Sequence, residues 1–371
     1  MKKQYHTLYI YVALLLLFGL PACDFIHDGE LPPCDFKLRF VYDYNMKYAD
    51  AFQKEVDMVD LFIYNDKGGF LQKQHIEGAE LKENNVRLNL DPGTYYLVSW
   101  AGLVDTSYSY TQPILDTPIE DLKVRTLREA QSRLQDNALH PLWHSLDTIQ
   151  ITGTEHGEKV ISLFKNTNKV RIVLQRDSSQ SLDVKDFTFA IYADNGYMDY
   201  RNLLLEDDTI LYSPYYLDNV EISADPSGTT HPSQTVAVAE MNTMQLHADR
   251  NYRLVVRYRH QKQDILNVNL NEYLALTKME SHDIGKQEYL ERQDEYALVL
   301  FLTRWGCPTC PDPDPTPDPD PDPDPDPTPD PDPDPDPTPD PDPDPKPDYY
   351  YLCVGVKVNN WALLEPDHVE L

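Results

Sequence analysis

Residues 56–76 read VDMVDLFIYNDKGGFLQKQHI, the pattern of a β-hairpin: a strand to Tyr64, a turn at Asn65-Asp66-Lys67-Gly68-Gly69, and a return strand. The glycines matter because they accept a positive φ without steric cost. The same reading extends in both directions. Upstream, CDFKLRFVYDYN (34–45) alternates Phe36, Leu38, Phe40 and Tyr42 on one face. Downstream, VRLNLDPGTYYLVSWAGL (86–103) is a strand pair turning at Asp91-Pro92-Gly93, where proline presets φ. The strand pattern continues in ISLFKNTNKVRIVLQ (161–175), KDFTFAIYADNGYMDY (185–200, with an Asn195-Gly196 turn), TVAVAEMNTMQL (235–246), NYRLVVRYRH (251–260) and EYALVLFLTRW (295–305). TLREAQSRLQ (126–135) is predicted to be a short amphipathic helix, with Thr126 as cap and Glu129 at the capping-box position. NLNEYLALT (269–277) and KQEYLERQ (286–293) read as short helical connections, and residues 137–159 as loop. Tyrosine-rich strands at short spacing with few helices predict an all-β chain of antiparallel sandwiches.

At 371 residues there is room for two domains. The formal charge of −30 is unevenly spread: residues 311–348 hold 15 Asp, one Lys and 19 of the 31 prolines, hence −14. No basic cluster exists, and the acidic surface argues against nucleic acid as a partner. In the Asp-Pro segment every second residue lacks an N–H and has a fixed φ. Each Asp there except Asp348 precedes a proline and is pushed to extended geometry. Helix and sheet are excluded, and a polyproline-II rod of about 120 Å at full extension is expected. It reads as a solvated spacer; alternate carboxylates on a rod do not close into an oxygen cage for Ca²⁺.

Residues 1–22 read as a lipoprotein signal peptide. Lys2 and Lys3 are basic, LYIYVALLLLFGL (8–20) is apolar but short for a membrane span, and Leu20-Pro21-Ala22-Cys23 has the form of a bacterial lipobox. Cys23 is therefore the expected lipidation site, and several acyl chains on one residue anchor firmly. Residues 23–33 are the tether.

Several of these segments together resemble one family. CDFKLRFVYDYN followed by DMVDLFIYNDKGGFL, DPGTYYLVSWAGL, PLWHS before KNTNKVRIVLQ, LNEYLAL…KQEYLERQDEYALVLFL, and VGVKVNNWALL are similar, in order and spacing, to segments of the fimbrillin-associated anchor proteins, the FimB-like minor fimbrial subunits of Bacteroidales. The resemblance runs from Cys23 to Trp361 except for the rod. It implies two transthyretin-like antiparallel β-sandwich domains in series on an outer-membrane lipid anchor. It also implies a non-enzymatic role: a minor subunit that anchors or terminates a fimbrium by accepting a donor strand from a neighbouring shaft or accessory subunit. The alternative is a fimbrial tip adhesin or glycan-binding surface lipoprotein on the same sandwiches. Cleavage state is informative: a mature chain still beginning at acylated Cys23 supports the anchor, while removal of an N-terminal strand supports a polymerising subunit.

No constellation points to catalysis, and no cofactor is implied. WGCPTC (305–310) contains a C-x-x-C, but Pro-Asp-Pro follows and cannot start the helix that activates a redox thiol. No second cysteine pair stands at zinc-site spacing. Two structural readings stay open: a disulfide from Cys307 or Cys310 to Cys353 stapling the rod's base, or free passive thiols. His140 and His144 are four apart, yet Pro141 opposes the helix that would make them metal ligands; Trp143 reads as a packing anchor. The expected organisation is an N-terminal sandwich at 34–176, a C-terminal sandwich at 177–310 plus 349–371, and the rod at 311–348 inserted between strands of the latter. The final strand is expected to fold back onto its own chain, because loop closure costs little more for a long loop than for a short one.

Overall fold

The computed structural model describes residues 36–153, 156–176, 181–222, 234–278, 283–306, 349–358 and 361–363. The signal peptide, Cys23, the tether, Cys34, Cys307, Cys310 and the Asp-Pro segment lie outside the described residues. At the hairpin, Asn65 makes the turn. Its Oδ1 accepts from the backbone N–H groups of Lys67 and Gly69, both at 2.9 Å, while Gly68 takes a φ of 78°.

In chain order the first half contains β1 (Phe36–Val41), α1 (Phe52–Glu55), β2 (Met58–Tyr64), β3 (Phe70–Glu77), α2 (Gly78–Glu83), β4 (Val86–Leu88), β5 (Gly93–Ala101), β6 (Tyr108–Tyr110), β7 (Lys123–Thr126), β8 (Leu134–Gln135), β9 (Trp143–Ile151), β10 (Gly157–Ser162), β11 (Phe164–Lys165) and β12 (Thr167–Arg176). The second half adds β13 (Phe187–Ala193), β14 (Tyr197–Asp199), β15 (Ile210–Tyr212), β16 (Tyr216–Ile222), β17 (Gln234–Met244), β18 (Arg253–Tyr258), β19 (Gln263–Asn269), α3 (Leu270–Ala275), α4 (Lys286–Arg292), β20 (Glu295–Gly306), β21 (Tyr349–Val358) and β22 (Trp361–Leu363). The architecture is all-β, and the two short helices read from 269–277 and 286–293 are present as α3 and α4.

One sandwich sets the sheet β10-β1-β4 against the sheet β11-β9-β5-β2-β3. Between them lie Leu38, Phe40, Val59, Leu61, Ile63, Leu97 and Ile161, all fully buried. A second sandwich sets β16-β17-β12-β20-β21-β22 against β19-β18-β13-β15-β8, around Val170, Ile172, Leu174, Ile191, Leu254, Leu298 and Leu300. A small sheet, β14-β7-β6, connects the two. Sheet β11-β9-β5-β2-β3 is covered on both faces: Phe62, Val98 and Trp100 turn away from the first core and join the second cluster. This explains why MVDLFIY is buried almost throughout and does not alternate cleanly.

Four expectations change. The N-terminal sandwich does not extend to Arg176: β12 lies in the middle of the second sandwich, antiparallel to β17 and parallel to β20. Its alternating Val170, Ile172 and Leu174 pack into that core, so the boundary expected after Arg176 falls inside the second sandwich. Residues 126–135 are not a helix. Both backbone edges of Lys123–Thr126 are consumed by strands β6 and β14, which places the would-be cap Thr126 inside a strand. The following Arg128 is drawn to Asp207 by two hydrogen bonds of 2.8 and 2.6 Å, and Arg133 takes a φ of 58°. Residues 137–159 are not mainly loop, since β9 sits between β5 and β11. Asn195-Gly196 does not close a hairpin: β13 and β14 belong to different sheets. The buried Asn195 amide instead donates to the Met244 and Gln245 carbonyls, and its Oδ1 accepts from Tyr212.

β20 and β21 are antiparallel neighbours from Leu298↔Val358 to Gly306↔Tyr349. Residues 307–348 therefore connect two strands whose ends face each other. Where the sandwiches meet, the Lys165 ammonium lies between Glu55 at 2.8 Å and Asp294 at 2.5 Å, beside the Trp143 ring. His144 is buried against Trp100 and donates from Nε2 to the Tyr200 carbonyl at 2.9 Å. Burial pushes its pKa down to about 4, against smaller opposing pulls from the Tyr200 carbonyl and Asp199.

Removing Pro311–Asp348 leaves Cys307–Cys310 as a four-residue hairpin connection. The shortened chain should fold as before and gain up to about 2 kcal/mol from the roughly tenfold shorter loop. Urea unfolding checks this, and failure to fold alone would show that β21 does not belong to its own chain's sheet. For His144, the folded pKa lies below the ordinary 6.5, so the unfolded chain takes up the proton first. Stability should fall as pH drops from about 6.5 to about 4, by up to about 3 kcal/mol, and level off below. His144→Gln keeps an N–H donor for Tyr200 and should flatten that part of the pH profile; an unchanged slope would contradict the assignment.

Candidate functional site

Of the residues singled out from the sequence, Cys353 alone among the three bridge candidates is described. It sits in β21 opposite Leu302, half-buried, and burial pushes its thiol pKa up. The two histidines are not brought to one site. His140 meets Asp57 at 3.1 Å, whereas His144 is committed to Tyr200. Trp143 is fully buried and packs edge-on against Tyr42. Among the described residues no group of three or more His, Cys, Asp or Glu could hold a metal ion. No described helix is long and apolar enough to cross a membrane.

The feature most capable of recognition was not read from the sequence. β16, YLDNVEI, is the outer strand of the six-stranded sheet, and all seven of its residues are exposed. It pairs in unbroken register with β17, from Tyr216↔Glu240 to Ile222↔Gln234. β17 is buried along most of its eleven residues, so β16 satisfies its backbone groups. The other backbone edge of β16 has no partner strand among the described residues. Tyr216, Leu217, Val220 and Ile222 leave large apolar surface in water, on both faces of the strand. Natural edges are normally blunted by lysine, proline or a bulge. β16 has none of these; it carries Asp218 and Glu221. The signal available in the sequence was the alternation Tyr216-Asp218-Val220-Ile222, obscured by Leu217 on the opposite face.

β16 is held at its middle and next to its start. Asn219 accepts from the Val184 N–H at 2.7 Å and donates to Asp183 at 3.0 Å. Next to its start, Tyr215 donates to Glu240 at 2.8 Å. Glu240 also takes Arg171 through two hydrogen bonds and Lys169 at 3.2 Å. Burial opposes its charge, but these donors hold the carboxyl below its usual range. Beside this cluster, Lys169, Arg171, Glu295, Tyr296 and Ala297 line a shallow hollow of about 200 Å³. The arrangement offers a preformed, acidic, partly apolar strand edge and no reacting group positioned for catalysis.

Comparison with solved structures agrees with this architecture. A candidate adhesin from Bacteroides thetaiotaomicron VPI-5482 is similar, with a TM-score of 0.69 at 28% identity, covering 91% of this chain and 100% of that one. A candidate polysaccharide-binding protein from the same organism is similar at 0.67 and 29% identity, covering 90% and 99%. The fimbrial anchor protein Mfa2 from Porphyromonas gingivalis shares the fold at 0.58 and 13% identity, covering 90% and 100%. A search of the curated proteins finds no match. The family model of the fimbrillin-A associated anchor proteins Mfa1 and Mfa2 matches residues 31–363, and the chain belongs to that family.

Proposed function

We propose that this chain is a lipid-anchored minor fimbrial subunit that holds or terminates a fimbrium at the outer membrane. It does so by accepting a strand from the neighbouring subunit. Family membership supports the fimbrial role, and the lipobox at Leu20–Cys23 supports the anchor. The observation that carries the accepting role is the open edge of β16. An incoming strand would pair along the edge that has no partner strand among the described residues and cover Tyr216, Leu217, Val220 and Ile222. Asp218 and Glu221 would favour lysine or arginine on that strand.

The tip-adhesin or glycan-binding reading draws on the two Bacteroides relatives. Fimbriae shed into the medium on deletion favour the anchor over it, since loss of a tip or glycan-binding protein leaves fimbriae attached. The disulfide proposal narrows to Cys310 with Cys353. Cys353 lies four rungs in from the Gly306↔Tyr349 end of the hairpin, about 14 Å along the strands. One residue beyond Gly306, Cys307 cannot span that and still meet the usual Cα separation below about 7 Å.

The test uses cells carrying the full-length gene, its deletion, or Leu217→Lys/Val220→Lys. Both residues are exposed, so the double variant should fold within about 1 kcal/mol of the parent. Deletion and double variant alike should shed fimbriae into the medium, scored by electron microscopy and by subunit in the supernatant. Retention on deletion would refute the anchor role. Shedding on deletion but not in the double variant would move the accepting edge away from β16.

A further inference from the structure

The two most exposed large apolar side chains among the described residues are adjacent: Ile114 at 77% and Leu115 at 67%. They form the tip of a pinned turn. The Thr117 N–H donates to the Ile114 carbonyl at 2.9 Å, and the Ile114 N–H to the Thr117 hydroxyl at 3.0 Å. The turn is tied to the β2–β3 hairpin by three backbone hydrogen bonds: Asp116 N–H to Phe70 O, Phe70 N–H to Thr117 O, and Ile119 N–H to Gly68 O. Asp116 takes a φ of 65° to turn the chain. The apolar tip is thus fixed outward by the fold.

Its position is informative. The register Tyr64↔Tyr96 and Gly93↔Ile151 places the 65–69 turn, the 91–93 turn and Gly153 at one end of the five-stranded sheet. Phe36, paired with Gly157 and Leu88, enters at that same end. The end carrying Lys165 and Trp143 instead meets the second sandwich. Phe36 and the tip are separated by about 20 Å, from three strand spacings and one sheet spacing. The twelve residues between Cys23 and Phe36 can span about 40 Å, so a lipid on Cys23 can bring this end to the bilayer.

We infer that Ile114 and Leu115 form a second membrane contact, inserting into the lipid surface beside the acylated N-terminus and setting the orientation of the molecule on it. The inference rests on the lipid-anchor reading above. Exposed charges around the tip are Asp66, Asp116, Glu120 and Asp121 against Lys67. The contact is therefore apolar and should be insensitive to salt, unlike a polybasic one.

The experiment places acylated full-length protein on vesicles of phosphatidylethanolamine and phosphatidylcholine in equal parts, with bromine on the upper acyl chain. Leu115→Trp is compared with the parent, whose four tryptophans, Trp100 and Trp143 of them fully buried, give the background to subtract. The added fluorescence should be quenched by half or more, equally at low and high salt, and unquenched in detergent without bromine. Ile114→Ser/Leu115→Ser should keep the parent's melting temperature and pass between vesicles several-fold faster. If the protein floats with vesicles yet the introduced indole is not quenched, this inference fails and the anchor stands. A blue shift of that indole on adding a purified fimbrial subunit, but not on adding vesicles, would assign the tip to a protein partner and overturn it. If the protein does not float, the anchor reading fails and this one with it.

Discussion

The second sandwich depends on β12. Its inward face, Val170, Ile172 and Leu174, is fully buried, and its outward face presents Lys169 and Arg171 to Glu240. It is hydrogen-bonded on both sides, by β17 in one sense and β20 in the other. A strand flanked by two long apolar neighbours cannot slip by one residue without turning Val170, Ile172 and Leu174 to solvent and two cations into the core. That constraint fixes β20, which fixes β21, and from the other side fixes β17 and so the exposed β16. The β16 edge inherits its position from a strand two places away.

Much of this was legible in the sequence, for identifiable reasons. The hairpin at 56–76 announced itself because Asn65 and Gly68 supply local turn chemistry that no tertiary contact has to override. Helices α3 and α4 were legible as short connections, each with a run of good helix formers. The segment 126–135 misled because its helical pattern is real but weak, while strand pairing at Lys123–Thr126 and the Arg128–Asp207 pair act over longer range. Asn195-Gly196 misled for a related reason: an asparagine that closes hairpins on the surface is equally suited to satisfy buried carbonyls. The placement of β12 depended on partners up to about 130 residues away, which no local pattern encodes.

The candidate site divides the same way. The expectation at Cys23 rests on a chemical requirement legible in residues alone, a thiol at a fixed place after an apolar run. A docking edge has no such requirement. What marks β16 is the absence of a neighbour, and that becomes visible only when the sheet order is known. The family shown by residues 31–363 ties the chain to fimbriae.

The parallel pairing of β12 with β20 also sets an order on folding as the chain emerges. Every strand of the first sandwich lies between Phe36 and Lys165, so that unit can close as soon as those residues are available. β12 follows directly, but its second neighbour begins at Glu295. Through the passage of the intervening residues, one edge of β12 has no strand to meet. A chain in this state offers a long apolar strand to any extended polypeptide nearby. A chaperone that occupies β-strand edges would protect it for that interval and be displaced by β20 itself.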